Sequence, residues 1–215
     1  MMATIYGVPP SPYVRKTLLA HAVKGISVEL KLTMPGSDEP EFRAASPFGK
    51  IPAYRLDDTT AFSDSSVIIA YLERTNSTNS LYPEDAADYA IALALEEYSD
   101  TKFSEVVSAL YFQRIIGPMF FQHDTDQARV DDLLTNLIPA QLDYLEKTLG
   151  ENSYFVGNSF SIADLSIGSH MLSLYHTKFD IDTIRWPAVA AFNDAFLART
   201  EVKEQLAQEL AVFGK

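Results

Sequence analysis

Ser46-Pro47-Phe48-Gly49-Lys50-Ile51-Pro52-Ala53-Tyr54 is the stretch that organises the reading of this chain. Taken alone, its closely spaced prolines and glycine describe a loop that runs into an edge strand. Working outward toward the C-terminus, residues 53–56 and 60–63 are short strand signals joined at Asp57-Asp58, which predicts a hairpin. Residues 65–74 then change to helical spacing, with Val67, Ile68, Tyr71 and Leu72 apolar. Toward the N-terminus, Thr4-Ile5-Tyr6 is a strand signal followed by the loop Gly7-Val8-Pro9-Pro10. Ser11-Pro12 supplies an N-cap residue and a proline at the first helical position. The helix runs through Val14, Leu18, Leu19 and Ala22 until Gly25 stops it. Residues 26–32 alternate, with Ile26, Val28, Leu30 and Leu32 on one face and Glu29 and Lys31 on the other. Residues 39–45 allow one or two helical turns. The order is βαβαββα, an α/β unit predicted over 1–76.

Thr75-Asn76-Ser77-Thr78-Asn79-Ser80 is polar throughout, and residues 77–85 are read as a linker. Beyond it no strand pattern stands out. A long helical pattern covers 85–116 and ends at Gly117-Pro118. Another covers 126–149, where Pro139 predicts a kink. Further helical stretches at 161–175, 187–199 and 201–210 complete an all-helical second domain, expected over 86–215.

Composition narrows the function. The chain has 17 basic against 29 acidic residues, a net charge of −12, which argues against a nucleic-acid binder. It contains no cysteine. That excludes disulfides, thiolate metal sites and any mechanism with a protein thiol as nucleophile. His21, His123, His170 and His176 have no metal-ligand spacing, so no metal site is expected. No apolar run reaches about 18 residues, and the first residues have neither a basic segment nor a long apolar one. A cytoplasmic protein with no membrane partner is the expectation.

Four segments carry a resemblance. Ser11-Pro12-Tyr13-Val14, at the junction of the first strand and helix, resembles the Cys-Pro-Tyr-Cys motif of thioredoxin-like proteins, with serine and valine in place of the cysteines. A serine there cannot exchange disulfides, but it can donate a hydrogen bond to a substrate thiolate. Ser11 with Arg15 four residues later resembles the serine-type glutathione S-transferases. The competing reading of Ser11 is a plain helix cap, a role that contributes about 1 kcal/mol. Ser46 to Tyr54 resembles the Asn-Pro-x-Gly-Lys-Val-Pro segment of that family, and Phe62-Ser63-Asp64-Ser65-Ser66 resembles its γ-glutamyl-binding pair. Tyr154 to Asp164 resembles its C-terminal signature, in which Ser161 and Asp164 form a capping box and Phe160 with Leu165 a hydrophobic staple.

The resemblance implies a thioredoxin-like N-terminal domain joined to an all-helical C-terminal domain. It implies that Ser11 activates the thiol of glutathione, the co-substrate. Pro52 would be cis, Ile51 would pair its backbone with the cysteinyl unit, and Lys50 would meet the glycyl carboxylate. Ser65 and the helix N-terminus after it would take the γ-glutamyl carboxylate, with Asp64 facing the α-ammonium; the family has Glu or Gln where this chain has Asp. The electrophile would meet residues drawn from Tyr13, Tyr111, Arg114, Met119, Phe120 and Phe121. Tyr6, at the end of the first strand, is assigned to packing. A homodimer is implied as well. The alternatives are a non-catalytic relative that binds proteins and a glutathione-dependent isomerase; a disulfide reductase is weaker for want of cysteine.

Overall fold

The computed structural model describes residues 2–214, which form two compact units. One holds the chain up to Leu81 together with everything from Thr200 onward, and the other spans Tyr82–Arg199. The last helix thus groups by its contacts with the first unit, whereas the sequence suggests a helical domain over 86–215.

In the first unit, β1 (Thr4–Gly7), α1 (Pro12–Lys24), β2 (Glu29–Leu32), α2 (Pro40–Ala45), β3 (Ala53–Arg55), β4 (Ala61–Ser63) and α3 (Ser65–Thr75) follow the expected βαβαββα order. The sheet order is β2-β1-β3-β4, with β1 parallel to β2 and the other pairs antiparallel. Strand alternation divides the core by face. Ile5 packs with Val14, Tyr54 and Ile68, toward α1 and α3, whereas Tyr6 packs with Phe42, Ala45 and Ala53, toward α2. A side chain at Gly7 would collide with Val14, so the end of β1 can lie this close to α1 only as glycine. Gly25 ends α1 in the left-handed region at φ +67°. The second strand is shorter than its alternation suggested. Val28 and Leu30 pack against the core, but Leu32, at its far end, is 67% exposed.

The stretch read as a linker is tied down. Lys24 Nζ donates to Glu73 and to the carbonyl of Thr78, while Ser80 Oγ and Leu81 N–H donate to the Glu73 carboxylate. Asn79 Nδ2 adds a bond to the carbonyl of Val23. A local polar composition reports solvation, not mobility, and these partners lie on α1 and α3. The closing helix of this unit, α11 (Thr200–Phe213), packs on α1.

The second unit begins with one helical path: α4 (Ala86–Tyr98), α5 (Ser104–Tyr111) and α6 (Gly117–Phe121), joined by wide π-type turns at Ser99–Phe103 and Phe112–Ile116. Gly117-Pro118 was expected to end the helix, and it does not. The wide turn before Pro118 accommodates a residue that has no N–H to return. A side chain at Gly117 would meet the Phe112 carbonyl oxygen at 2.9 Å, so glycine is required there. The helix ends instead at Gln122, at φ +51°. The same device recurs before Pro139: α7 (Gln127–Asp132) passes through a wide turn at Leu133–Leu137 into α8 (Ile138–Leu149). α9 (Ile162–His176) is buried along nearly its whole length and packs against α4, α5 and α10 (Pro187–Ala198), as a helix without a polar face must. α11 (Thr200–Phe213) completes the chain.

Ser161 and Asp164 form the expected capping box at the start of α9. Asp164 accepts from Ser161 N–H and Oγ, both at 2.8 Å, and from Phe155 N–H at 2.9 Å. Burial raises its pKa, opposed by these donors. Phe160 places its ring against Tyr154 and Phe196, with the Arg199 guanidinium 3.9 Å above it.

Candidate glutathione site

Ser11 stands at the N-terminus of α1 with extended backbone, φ −70° and ψ 125°, and Pro12 follows at the first helical position. Its hydroxyl makes no capping hydrogen bond. The backbone is nevertheless fixed on both sides, since Ser11 N–H donates to the Val8 carbonyl and Arg15 N–H donates to the Ser11 carbonyl. The simple cap reading therefore lacks its defining bond. What remains is a hydroxyl beside the positive end of a helix.

Tyr6 is 1% exposed and packs with Phe42, Ala45 and Ala53 on the α2 side of the sheet. Its hydroxyl donates to Glu41 at 3.3 Å and accepts from Arg55 Nε at 3.0 Å. Lys31 and Tyr6 both hydrogen-bond the Glu41 carboxylate and hold its pKa below the usual carboxylate value.

The Ser46–Pro52 loop is built around Ser46, whose buried hydroxyl accepts from Lys50 N–H at 3.0 Å and donates to the Lys50 carbonyl at 2.7 Å. Gly49 is in the left-handed region at φ +66°, and its carbonyl accepts from Gly36 N–H. With residue 50 closed back on Ser46, the Lys50 side chain is exposed, and Ile51 leads into Pro52 through a cis peptide. Among the described residues no backbone hydrogen bond uses the N–H or C=O of Ile51. Pro52 and Ala53 are buried, which seats this opening at the edge of the sheet core.

At the start of α3, Asp64 occupies a positive φ of 87°, a conformation a non-glycine residue holds only when its surroundings impose it. Its Oδ1 accepts from Ser66 and Val67 N–H at 2.9 and 3.2 Å, so this carboxylate caps the helix. Ser65 is 3% exposed and Asp64 is exposed beside it. Lys16, a residue the sequence reading passed over, is buried in α1 and donates from Nζ to Ser66 Oγ at 3.2 Å. It brings a cation to the N-terminus of α3, where an anion is already favoured by the helix dipole. On α1 it reads as an ordinary surface lysine; only the contact across fifty residues of sequence reveals it.

Residues 5–80 match the family model for the glutathione S-transferase N-terminal domain, and residues 111–209 match the one for its C-terminal domain. The chain belongs to the glutathione S-transferase family. It is 32% identical over 171 residues to a glutathione S-transferase of Arabidopsis thaliana, covering 77% of each chain. A glutathione S-transferase of Hyoscyamus muticus is 30% identical over 200 residues, 91% of this chain and 93% of that one. Among solved structures, a glutathione S-transferase-I bound with lactoylglutathione superposes with a TM-score of 0.85 at 25% identity, over 97% of this chain and 100% of its own.

Within this glutathione S-transferase, the residues suggested for the electrophile fall into different environments. Tyr13 lies in the first unit and is half-buried. In the second unit, Tyr111 is a core residue whose ring stacks on His176, and Arg114 donates to the Thr177 carbonyl. Phe120 is exposed there, with Met119 and Phe121 beside it in the chain. His21 is buried against the Thr17 carbonyl and the Tyr54 hydroxyl. Among the described residues no cluster of metal-ligating side chains occurs, and no helix is long and apolar enough to cross a membrane.

Proposed function

We propose that this member of the glutathione S-transferase family activates the thiol of glutathione with the Ser11 hydroxyl and delivers the thiolate to an electrophilic small molecule. One observation carries the reading: Ser11 stands at the N-terminus of α1 with its hydroxyl uncommitted to capping. A free thiol with a pKa of about 8.5 is mostly protonated at neutral pH. A hydroxyl donor and the helix dipole both favour its anion, and the anion is the nucleophile. The remaining groups divide the tripeptide between them. The open N–H and C=O of Ile51 suit the backbone of the cysteinyl unit, as an added strand. Lys50 suits the glycyl carboxylate. Ser65 and the N-terminus of α3, with Lys16 behind it, suit the γ-glutamyl carboxylate. Asp64 retains one carboxylate oxygen beyond its two capping bonds, available to the α-ammonium. The relatives named as glutathione S-transferases support a transferase over an isomerase or a non-catalytic binder. We further take the enzyme to work in the cytoplasm as a homodimer, which light scattering at micromolar concentration would refute by returning a single-chain mass.

Calorimetry with glutathione and its S-alkyl derivatives tests the binding reading; no heat at millimolar ligand would sink it. Thiolate absorbance of the bound tripeptide against pH tests the role of Ser11. Superimposable titrations for the parent and Ser11→Ala would remove the serine from the mechanism.

A further inference from the structure

The loop before Ser11 has a problem that its own residues cannot solve. Pro9 and Pro10 are both buried, and neither has an N–H, so the carbonyls beside them depend on donors from elsewhere. Those donors are side chains connected to the last helix. Gln205 Nε2 donates to the Pro9 carbonyl at 3.4 Å, and Arg15 Nη2 donates to the Pro10 carbonyl at 3.3 Å. The two donors are joined through one carboxylate. Glu209 accepts from Arg15 Nε and Nη2, each at 2.7 Å, and from Gln205 Nε2 at 2.7 Å. Arg15 and Glu209 are fully buried and Gln205 nearly so, all within the first compact unit.

A buried, bidentate Arg–Glu pair gains little net stability, because desolvating two charges roughly cancels their attraction. What it does supply is direction, since the planar guanidinium admits few arrangements. Arg15 holds both sides of Ser11 at once: its side chain grips the carbonyl of residue 10, and its N–H takes the carbonyl of residue 11. We infer that α11 is a positioning element for the reaction, with Glu209 and Gln205 aiming the Ser11 hydroxyl through Arg15 and the Pro9-Pro10 loop. This rests on the proposed role of Ser11. Both are positioning residues, for neither is placed on glutathione.

The test compares Gln205→Ala and Glu209→Gln with Ser11→Ala and the Ser11→Ala/Gln205→Ala double variant, all in the full chain. Four quantities are read: the thiolate titration of bound glutathione, kcat with a model electrophile, calorimetric Kd for glutathione, and Tm. Gln205→Ala should raise the pH at which the bound thiol ionises and lower kcat by about tenfold, while Kd changes by less than about twofold. In the Ser11→Ala background the same substitution should do neither, because there is no hydroxyl left to aim. Glu209→Gln should act in the same direction. If it fails to accumulate folded, Gln205→Ala, which leaves the ion pair in place, still decides the matter. A lowered Tm with unmoved titration and kcat would overturn the positioning role and leave Ser11 standing. An unmoved titration in Ser11→Ala itself would overturn both.

Discussion

The helices α1 and α9 both have a serine at the N-cap position, and the two serines do opposite things. At α9, Ser161 gives both its N–H and its hydroxyl to Asp164, which also takes the N–H of Phe155, and the whole group is buried. At α1, Ser11 makes no capping bond with its side chain and is only half-buried. The first is a closed network, in which each member satisfies another and nothing remains for a ligand. The second leaves a donor in place, its backbone tied and its hydroxyl uncommitted. Residue type and helix position are the same, so neither identifies a functional serine. The distinguishing feature is whether the local hydrogen-bond account is complete without a substrate.

The comparison can be broken at its closed end first. Asp164→Ala removes one acceptor from three buried donors, and should cost about 3–5 kcal/mol of stability. For a chain of this size that is a fall in Tm of roughly 6–20 °C. A loss below about 1 kcal/mol in a denaturant titration would show that the network is ornamental. The open end should respond in activity alone. Ser11→Ala should lower kcat/KM with a model electrophile by about tenfold to a hundredfold, the loss of one charge-assisted hydrogen bond of about 1.5–3 kcal/mol. Its stability should stay within about 0.5 kcal/mol of the parent, because no cap bond is lost. A destabilised Ser11→Ala with unchanged turnover would reverse the assignment of the two serines.

A smaller effect is expected at α3, where the cap comes from Asp64 and the adjoining serine is buried. Ser65→Ala should weaken glutathione binding by about tenfold, with kcat at saturating glutathione held. Equal affinities in calorimetry would take the γ-glutamyl carboxylate away from this helix.

The smallest effect is a pH dependence. Burial depresses the pKa of His21, partly offset by its bond to the Thr17 carbonyl, so the folded protein prefers the neutral ring. A base whose folded pKa lies below its unfolded value contributes stability that is whole above about pH 6.5 and is lost as the pH falls below it. Asp164, with a raised pKa, contributes in the opposite sense, since its stability is lost as pH rises through the folded value. The His21→Gln difference curve isolates the first from the second. Its Tm should decline less than that of the parent between about pH 7 and pH 5, and parallel curves would refute the assignment.

What could be read from the sequence was whatever short-range rules govern. The strand–loop–helix junction at Ser11, the hairpin, the capping box and the stop at Gly25 each depend on residues a few places apart. Local signals misled where a wide helical turn changed what a proline could do, as at Gly117-Pro118. Nor do local signals reveal that the polar run Thr75 to Ser80 is anchored on α1 and α3. Alternation starts β2 too early, at Ile26, because alone it does not say where pairing with the neighbouring strand begins, which is at Glu29. Lys16 and Glu209 carried no signal at all. Their importance comes from contacts 50 and 194 residues away, and a charged residue in a helical pattern looks the same whether it meets water or a partner.

The pairing of Arg15 with Glu209 also bears on how the protein is made. A ribosome delivers the arginine 194 residues before its carboxylate. At about 5–20 residues per second, that interval is roughly 10–40 s. Throughout it, the newly emerged α1 carries a guanidinium that the finished molecule buries and that nothing yet neutralises. The unit that contains α1 therefore cannot close until Glu209 has emerged, long after its sheet has been made. A rigid fusion that held α11 back would leave a nascent enzyme with its sheet in order and that cation still facing water.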